Sequence, residues 1–278
     1  MKQYRAPVPV VIVGNITVGG TGKTPVVIAL VEMLASKGIR AGVVSRGFGR
    51  SVAAVRLVGD GSRVRDVGDE PLLIYRRTGC PCAVHKDRGK AARALLDNFA
   101  LDVLLADDGL QHYAFARDLE VVMYDAAMAF GNGRCLPVGP LREPLSRLAS
   151  ADLVLARGGG SPDDVGIEVQ CLVNLATGEE RACLPSAVGA EIVAVAGIAQ
   201  PGQFFTQLRN AGFNVTPFAF RDHHEFCAAD FAALQGRVII MTQKDAVKCA
   251  DLVGDNVWYV KINALLPQVL TDAVLQLF

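Results

Sequence analysis

No run of about 18 consecutive apolar residues occurs in the chain, which excludes a membrane-spanning helix. The stretch Met1–Pro9 ahead of the first apolar run is too short for a signal peptide. Neither charge is in excess: Lys plus Arg and Asp plus Glu number 28 each. Such a balance gives no reason to expect nucleic acid as the main partner. The seven cysteines, at 80, 82, 135, 171, 183, 227 and 249, form no Cys-x-x-Cys pair and are odd in number. A disulfide framework or a zinc site is therefore not expected, and reduced thiols are. The four histidines, at 85, 112, 223 and 224, also lack metal-ligand spacing. Internal repeats and low-complexity tracts are absent.

What is present is enough for a sizeable core. With 278 residues, 51% of them hydrophobic, the chain fits one large domain or two smaller ones. Short apolar runs alternate with helical patterns: strands at 10–13, 41–45, 82–84, 101–106, 119–124 and 153–156, with helices near 25–37, 70–78 and 87–98. This pattern predicts an α/β fold with a mostly parallel sheet and helices on both faces. Residues 51–68 read as irregular, and 125–144 as loop followed by a helix. The breaker cluster Gly158-Gly159-Gly160-Ser161-Pro162 precedes a candidate β-hairpin around Thr177-Gly178. A smaller C-terminal α/β unit begins at Glu191. The expected organisation is a P-loop domain over 1–167, a linker over 168–190 and the second domain over 191–278.

The densest chemistry lies in Val10-Val11-Ile12-Val13-Gly14-Asn15-Ile16-Thr17-Val18-Gly19-Gly20-Thr21-Gly22-Lys23-Thr24-Pro25. A strand, a glycine-rich loop and a helix start follow one another. Gly19, Gly20 and Gly22 free backbone N–H groups, with Thr21 among them, to face phosphate oxygens. Lys23 can reach the outer phosphates, and Thr24 can offer its hydroxyl to Mg²⁺. The helix start adds its positive dipole end. The strict G-x-x-x-x-G-K-[ST] pattern wants glycine where Thr17 stands. The local form x-G-G-x-G-K-T belongs to one branch of P-loop proteins, whose partitioning ATPases carry a lysine where this chain has Val18.

A second constellation is Val103-Leu104-Leu105-Ala106-Asp107-Asp108-Gly109, an apolar strand ending in two carboxylates. Ligands of open α/β sheets bind beyond the carboxyl ends of strands, where an acid can hold Mg²⁺ opposite the P-loop threonine. The plain structural alternative is a turn or N-cap aspartate. Gly68-Asp69-Glu70-Pro71 reads equally as helix capping with dipole complementarity or as a functional acid pair. Asp222-His223-His224 sits in a loop after a strand, where histidine can be structural or catalytic. Phosphoryl transfer to a sugar hydroxyl needs a base, and Asp69 could take that proton with His223 orienting or sharing it.

Taken in order, these blocks resemble the tetraacyldisaccharide 4′-kinase family, the lipid A 4′-kinases of Gram-negative bacteria. The matching pieces are Val13-Gly14-Asn15 through Lys23-Thr24-Pro25, Ser45-Arg46-Gly47-Phe48, Gly68-Asp69-Glu70-Pro71 and Asp107-Asp108-Gly109-Leu110-Gln111-His112. They continue with Gly139-Pro140-Leu141-Arg142-Glu143-Pro144, Gly197-Ile198-Ala199, Asp222-His223 and Lys244-Asp245. The resemblance implies ATP- and Mg²⁺-dependent transfer of the γ-phosphate to the 4′-hydroxyl of lipid A disaccharide 1-phosphate, giving lipid IVA. It implies Asp69 as catalytic carboxylate with His223 as its partner. It also implies Lys23 and Thr24 on phosphate and Mg²⁺, and Glu70, Asp107 and Asp108 in an acidic metal network. Arg142 and Glu143 stand near the phosphates or the acceptor, His112 fixes the loop after the acidic strand, and the Thr242–Asp245 loop lies near the base.

Family members usually carry an upstream apolar and basic helix that binds the membrane surface. This sequence starts at Met1-Lys2-Gln3-Tyr4-Arg5, close to the first strand, without such a segment. The expected location is cytoplasmic and peripheral, at the cytoplasmic face of the inner membrane. A switch ATPase of the partitioning type, acting through protein partners, is the alternative; Val18 and the Asp69 and His223 blocks argue against it. A GTPase metallochaperone would need an Asn-Lys-x-Asp signature, and Thr242-Gln243-Lys244-Asp245 has the wrong order.

Overall fold

The computed structural model describes residues 3–249, 252 and 254–278. Two compact units emerge, Met1–Ile167 with Ala264–Phe278, and Glu168–Asn263.

The first unit is built on parallel strands that are apolar on both faces. β1 (Val10–Gly14), β2 (Ala41–Ser45) and β5 (Val103–Asp107) are buried at every residue. This is why they read as continuous apolar runs rather than as alternation. The other elements here are α1 (Lys23–Ser36), β3 (Arg56–Leu57), α2 (Val64–Val67), α3 (Asp69–Thr78), β4 (Cys82–Val84), α4 (Arg88–Asn98), β6 (Leu119–Asp125) and β7 (Leu153–Arg157). The strand order is β3-β4-β2-β5-β1-β6-β7, parallel except for the β3–β4 pair. The chain winds outward from β1 toward β4, then crosses back to β6 on the other side. The carboxyl end of β1 is therefore a topological switch point, where doubly wound sheets bind ligands. Ile12, Leu104, Leu110 and Phe115 are fully buried in the cluster beneath it. Truncating any one of them to alanine would cost about 2–5 kcal/mol.

In the second unit lie β8 (Gly166–Asn174), β9 (Glu180–Arg181), α5 (Pro185–Val188), β10 (Glu191–Ala196), α6 (Pro201–Asn210), β11 (Asn214–Ala219), α7 (Ala228–Ala232), β12 (Ile239–Thr242), α8 (Gln243–Cys249) and β13 (Val257–Leu265). Their order is β11-β10-β12-β13-β8-β9, with β11, β10, β12 and β13 mutually parallel and β8–β9 an antiparallel pair. The final helix α9 (Gln268–Leu275) buries Leu270 and Val274 and belongs to the first unit.

These bounds differ from the organisation expected above. Residues 168–190 are not a linker: β8 takes a place beside β13 and buries Leu172 and Val173, so the hairpin is part of the second unit's sheet. Residues 264–278 return to the first unit. The stretch 51–68 holds β3 and α2, elements too short for any periodicity to register. The helix expected before β7 is a 3₁₀ turn, Leu145–Ser150, following Pro144.

Candidate active site

Within the first unit the sequence places its polar groups at the carboxyl ends of β1 and β5. The register Val13↔Asp107 sets the end of β5 beside the residue that leads into the P-loop. Gly22 caps α1 with φ of 81°, a conformation that favours glycine, and the Arg157 side chain packs where a Cβ would stand. Thr24, in the first turn of α1, donates its hydroxyl to Asp107 Oδ2 at 3.2 Å. Lys23 Nζ lies 3.4 Å from Asp108 Oδ1.

The two aspartates are held in opposite states. Asp107 is almost wholly buried, and its Oδ1 has no hydrogen-bond partner. Burial, with the charge of Glu70 added, pushes its carboxyl up to about 8, against the pull of Lys23. Burial works against the charge of Asp108 too, but Lys23 and Arg142 outweigh it and hold that carboxyl below its ordinary value. Asp108 also adopts a φ of 51°. Its backbone carbonyl accepts from Arg88 Nη2 at 2.9 Å, which ties the strained residue to the start of α4.

Asp69 opens α3 and is 3% exposed; its Oδ1 accepts from the Glu70 amide at 2.9 Å. The preceding Gly68 has φ of 92° and packs against Gly47 so closely that a Cβ would sit 3.0 Å from Gly47 Cα. That contact seats the Ser45–Phe48 loop against the N-terminus of α3. α3 packs on α1, and Glu70 is near enough to bias Asp107 electrostatically. Glu70, Asp107, Asp108, Lys23 and Thr24 therefore share one corner of the unit. Among the described residues no group of three or more His, Cys, Asp or Glu side chains converges as a metal shell. The pair actually facing one another is Thr24 and Asp107.

Arg142 donates through Nη1 to Asp108 Oδ2 at 3.0 Å, and its amide bonds Ile16 O at 2.6 Å. Glu143, its neighbour, does something else. Its Oε1 accepts from Gln111 Nε2 at 2.8 Å, its Oε2 meets the Tyr113 hydroxyl, and Arg147 lies 3.5 Å away. The carboxylate is occupied by side chains that brace the loop after β5. His112 accepts from the Arg88 amide through Nε2 at 3.3 Å, joining that loop to the start of α4.

In the second unit the loops after β10 and β11 and the start of α8 form another polar cluster. His223 stands at φ of 58°, with its amide bonded to Gly197 O at 3.2 Å. Its Nε2 is 3.4 Å from Lys244 Nζ, and Lys244 is 3.7 Å from Asp222. Asp245, fully buried, accepts from the Gly197 amide at 2.9 Å and the Thr242 hydroxyl at 2.7 Å, and pairs with Lys248 at 2.7 Å. His224 is committed elsewhere, stacked on Phe220 and 3.0 Å from Asp230. Asp69 and Lys244 belong to different units, and within the second unit Lys244, in the first turn of α8, is the residue of Thr242–Asp245 that meets His223.

Comparison with known proteins decides what this arrangement belongs to. A family model described as LpxK: Tetraacyldisaccharide-1-P 4′-kinase matches residues 1–278. The chain belongs to the tetraacyldisaccharide-1-P 4′-kinase family. A tetraacyldisaccharide 4′-kinase of Pseudomonas putida is 47% identical over 267 residues, covering 94% of this chain and 80% of its own length. One of Shewanella sediminis is 47% identical over 270 residues, covering 95% and 79%. Among solved structures, the "apo" form LpxK from Aquifex aeolicus in complex with ATP superposes with a TM-score of 0.83. It is 28% identical and covers 100% of this chain and 91% of that one.

Membership in this kinase family removes the switch-ATPase alternative. Thr17 forms a β-bridge with Leu141, and the Val18 amide bonds Pro140 O at 2.8 Å. The outer side of the P-loop is thus stitched to the segment that delivers Arg142. Sequence reading missed Arg88, Tyr113, Arg147 and Arg157. Their signal is weak because each is a lone cation or aromatic whose role comes from a distant partner, such as Arg157 from Asp125 and Gly22.

Proposed function

We propose that this kinase binds ATP on the Gly19–Thr24 loop and transfers the γ-phosphate to the 4′-hydroxyl of lipid A disaccharide 1-phosphate, giving lipid IVA. The observation that carries the reading is the Lys23, Thr24, Asp107 and Asp108 corner at the switch point of a chain of this family. In the ligand-free corner Lys23 and Arg142 both rest on Asp108, so each is a cation already gathered where phosphate charge would lie. With nucleotide bound, they exchange that carboxylate for phosphate oxygens.

Mg²⁺ fits the same corner. Asp107 brings a buried oxygen without a partner, and Thr24 a hydroxyl beside it. Such a hard-oxygen pair, completed by phosphates and water, is what this ion takes, with Glu70 and Asp108 adding negative charge around it. Bound there, Mg²⁺ would neutralise charge developing on the outer phosphates.

Asp69 is assigned as the base that accepts the acceptor's hydroxyl proton. His223 assists that transfer, an assignment that rests on the resemblance. The protein acts peripherally at the cytoplasmic face of the inner membrane, where a tetraacylated acceptor lies, and nucleic acid has no part in its function. The test supplies labelled ATP, Mg²⁺ and the disaccharide 1-phosphate in detergent. Label is expected on the lipid; folded protein that binds ATP and leaves the lipid unlabelled would sink the reading.

A further inference from the structure

The segment 126–141, between β6 and Arg142, has a composition unlike any other loop of the first unit. Its only charged residue is Arg134, and it contains no acid. Met128, Leu136 and Val138 are 62, 54 and 63% exposed. Large apolar side chains scattered singly over a surface need no explanation, but three on one short loop do. Two neighbours extend the surface. Leu145 is 41% exposed and lies 3.6 Å from where a Cβ on Gly133 would stand; Val18 is 46% exposed and bonded through its amide to Pro140.

The loop is braced rather than loose. Gly131 donates to Met128 O, Gly133 to Phe130 O, Val138 and Gly139 to Cys135 O, Leu136 to Leu141 O, and Leu141 to Arg134 O. Asn132 Nδ2 closes onto Val138 O at 3.0 Å. Phe130 anchors the base by packing on Tyr124, with ring centroids 5.0 Å apart. Backbone groups satisfied internally are the condition for a loop to enter an apolar layer, because there is no water there to bond them.

We infer that the 126–141 loop is the face by which the kinase unit enters a lipid surface, with Met128, Leu136 and Val138 in the acyl boundary and Arg134 on anionic headgroups. The inference rests on the proposed lipid acceptor and adds the surface that meets it. Charge complementarity selects the occupant: a lone cation among apolar side chains, with every acid excluded, suits an anionic bilayer. The position also suits it, since Val18 carries the same surface onto the rim of the P-loop. The bilayer would then stand where the phosphates are held.

The experiment uses vesicles of phosphatidylcholine with and without phosphatidylglycerol. The Leu136→Asp/Val138→Asp variant should partition onto either at least about ten-fold less, with ATP affinity unchanged. Arg134→Glu should lose about five-fold or more on the anionic vesicles alone. A polarity-sensitive dye on Cys135, an exposed thiol within the loop, should shift to the blue on binding. The same dye on exposed Cys227 of the second unit should stay unchanged. Cys227→Ser and Cys135→Ser, each made with the half-buried Cys171 and Cys183 also changed to serine, supply the two singly labelled proteins. Vesicle binding by the Asp variant at the wild-type level, or no shift at Cys135 in bound protein, overturns the inference. So does a change of oligomeric state in place of a change of partition, which would make the patch a protein contact. Kinase activity in detergent micelles is read alongside. Its absence in the wild type would count against the proposed reaction; its presence with undiminished vesicle binding in the Asp variant counts against this surface alone.

Discussion

Each unit of the molecule sets a buried aspartate at the carboxyl end of a parallel sheet, with a lysine close by, yet the two aspartates do opposite things. Asp245 has a counter-charge in contact. Its Oδ2 accepts from the Gly197 amide and the Thr242 hydroxyl, and its Oδ1 faces the Lys248 ammonium at 2.7 Å as an ion pair, so it fastens the loop after β10 to the start of α8. Asp107 has the Thr24 hydroxyl on one oxygen and nothing on the other. A buried carboxylate left half-bonded raises its own pKa, and Asp107 reaches about 8. The difference lies at the second oxygen, which meets a cation directly in Asp245 and meets none in Asp107. A counter-charge in contact, rather than burial or strand-end position, separates the two aspartates.

The largest expected effect tests the chemistry that the Asp107 corner serves. Asp69→Asn should lower kcat by about 10²–10⁴-fold, the usual worth of a positioned base, and leave ATP affinity within about two-fold. Lys23→Ala should instead weaken ATP binding. Equal loss of ATP affinity in both variants would make Asp69 a binding residue. The aspartate comparison itself is tested next, by thermal melts of the ligand-free protein. Asp245→Ala should destabilise by about 3–5 kcal/mol, because it strands the Lys248 charge in the interior. Asp107→Asn should leave the melting temperature equal or higher while raising the Mg²⁺ concentration needed and removing most activity. Matching destabilisation by the two substitutions would erase the distinction.

Much of this was legible in the residues. The apolar runs fixed β1, β2 and β5, because strands covered on both faces leave no other reading. Lys23-Thr24 after three glycines, and Asp107-Asp108 after an apolar strand, were readable because the chemistry demands contiguous residues. The hairpin at 166–181 was seen, but its allegiance was not: nothing local says that β8 will lie beside β13. Glu143 illustrates the limit. As part of an Arg-Glu pair it reads as a residue near the phosphates or the acceptor, and its contacts with Gln111, Tyr113 and Arg147, brought over by folding, have no signal in the local sequence. Asp245 looked no different from Asp108 on paper: Thr242 and Lys248 lie three residues to either side, but the Gly197 amide comes from a distant stretch.

The second cluster offers a smaller test, through the lysine beside His223. Lys244 stands 3.4 Å from His223 Nε2, so a protonated lysine makes that nitrogen the acceptor and leaves the ring proton on Nδ1. Lys244→Met should lower kcat by about ten-fold, the worth of one charge-assisted hydrogen bond of about 1.5 kcal/mol, and spare ATP affinity. Nitrogen NMR of His223 should show the ring losing its single tautomer. A single unchanged tautomer in the variant would remove Lys244 from any positioning role.

The smallest effect belongs to an exposed carboxylate, and it checks that burial is what gives the others their leverage. Asp102 accepts three bonds from Arg40, at 2.8, 2.9 and 2.8 Å, as many close contacts as Asp245 has and more than Asp107 has. The Arg40 side chain, and then its amide, hold the carboxyl down at about 2. A folded value below the unfolded one, about 3.9, means that the pair's contribution is present above that range and is lost as pH falls toward 2. Solvent screens the pair, so Arg40→Ala should lower the melting temperature by no more than about 2 °C at neutral pH. The deficit should stay flat between about pH 5 and 9 and vanish near pH 2. A loss as large as that of Asp245→Ala would show that bond count, irrespective of water, ranks these carboxylates, and the contrast between Asp107 and Asp245 would then need another cause.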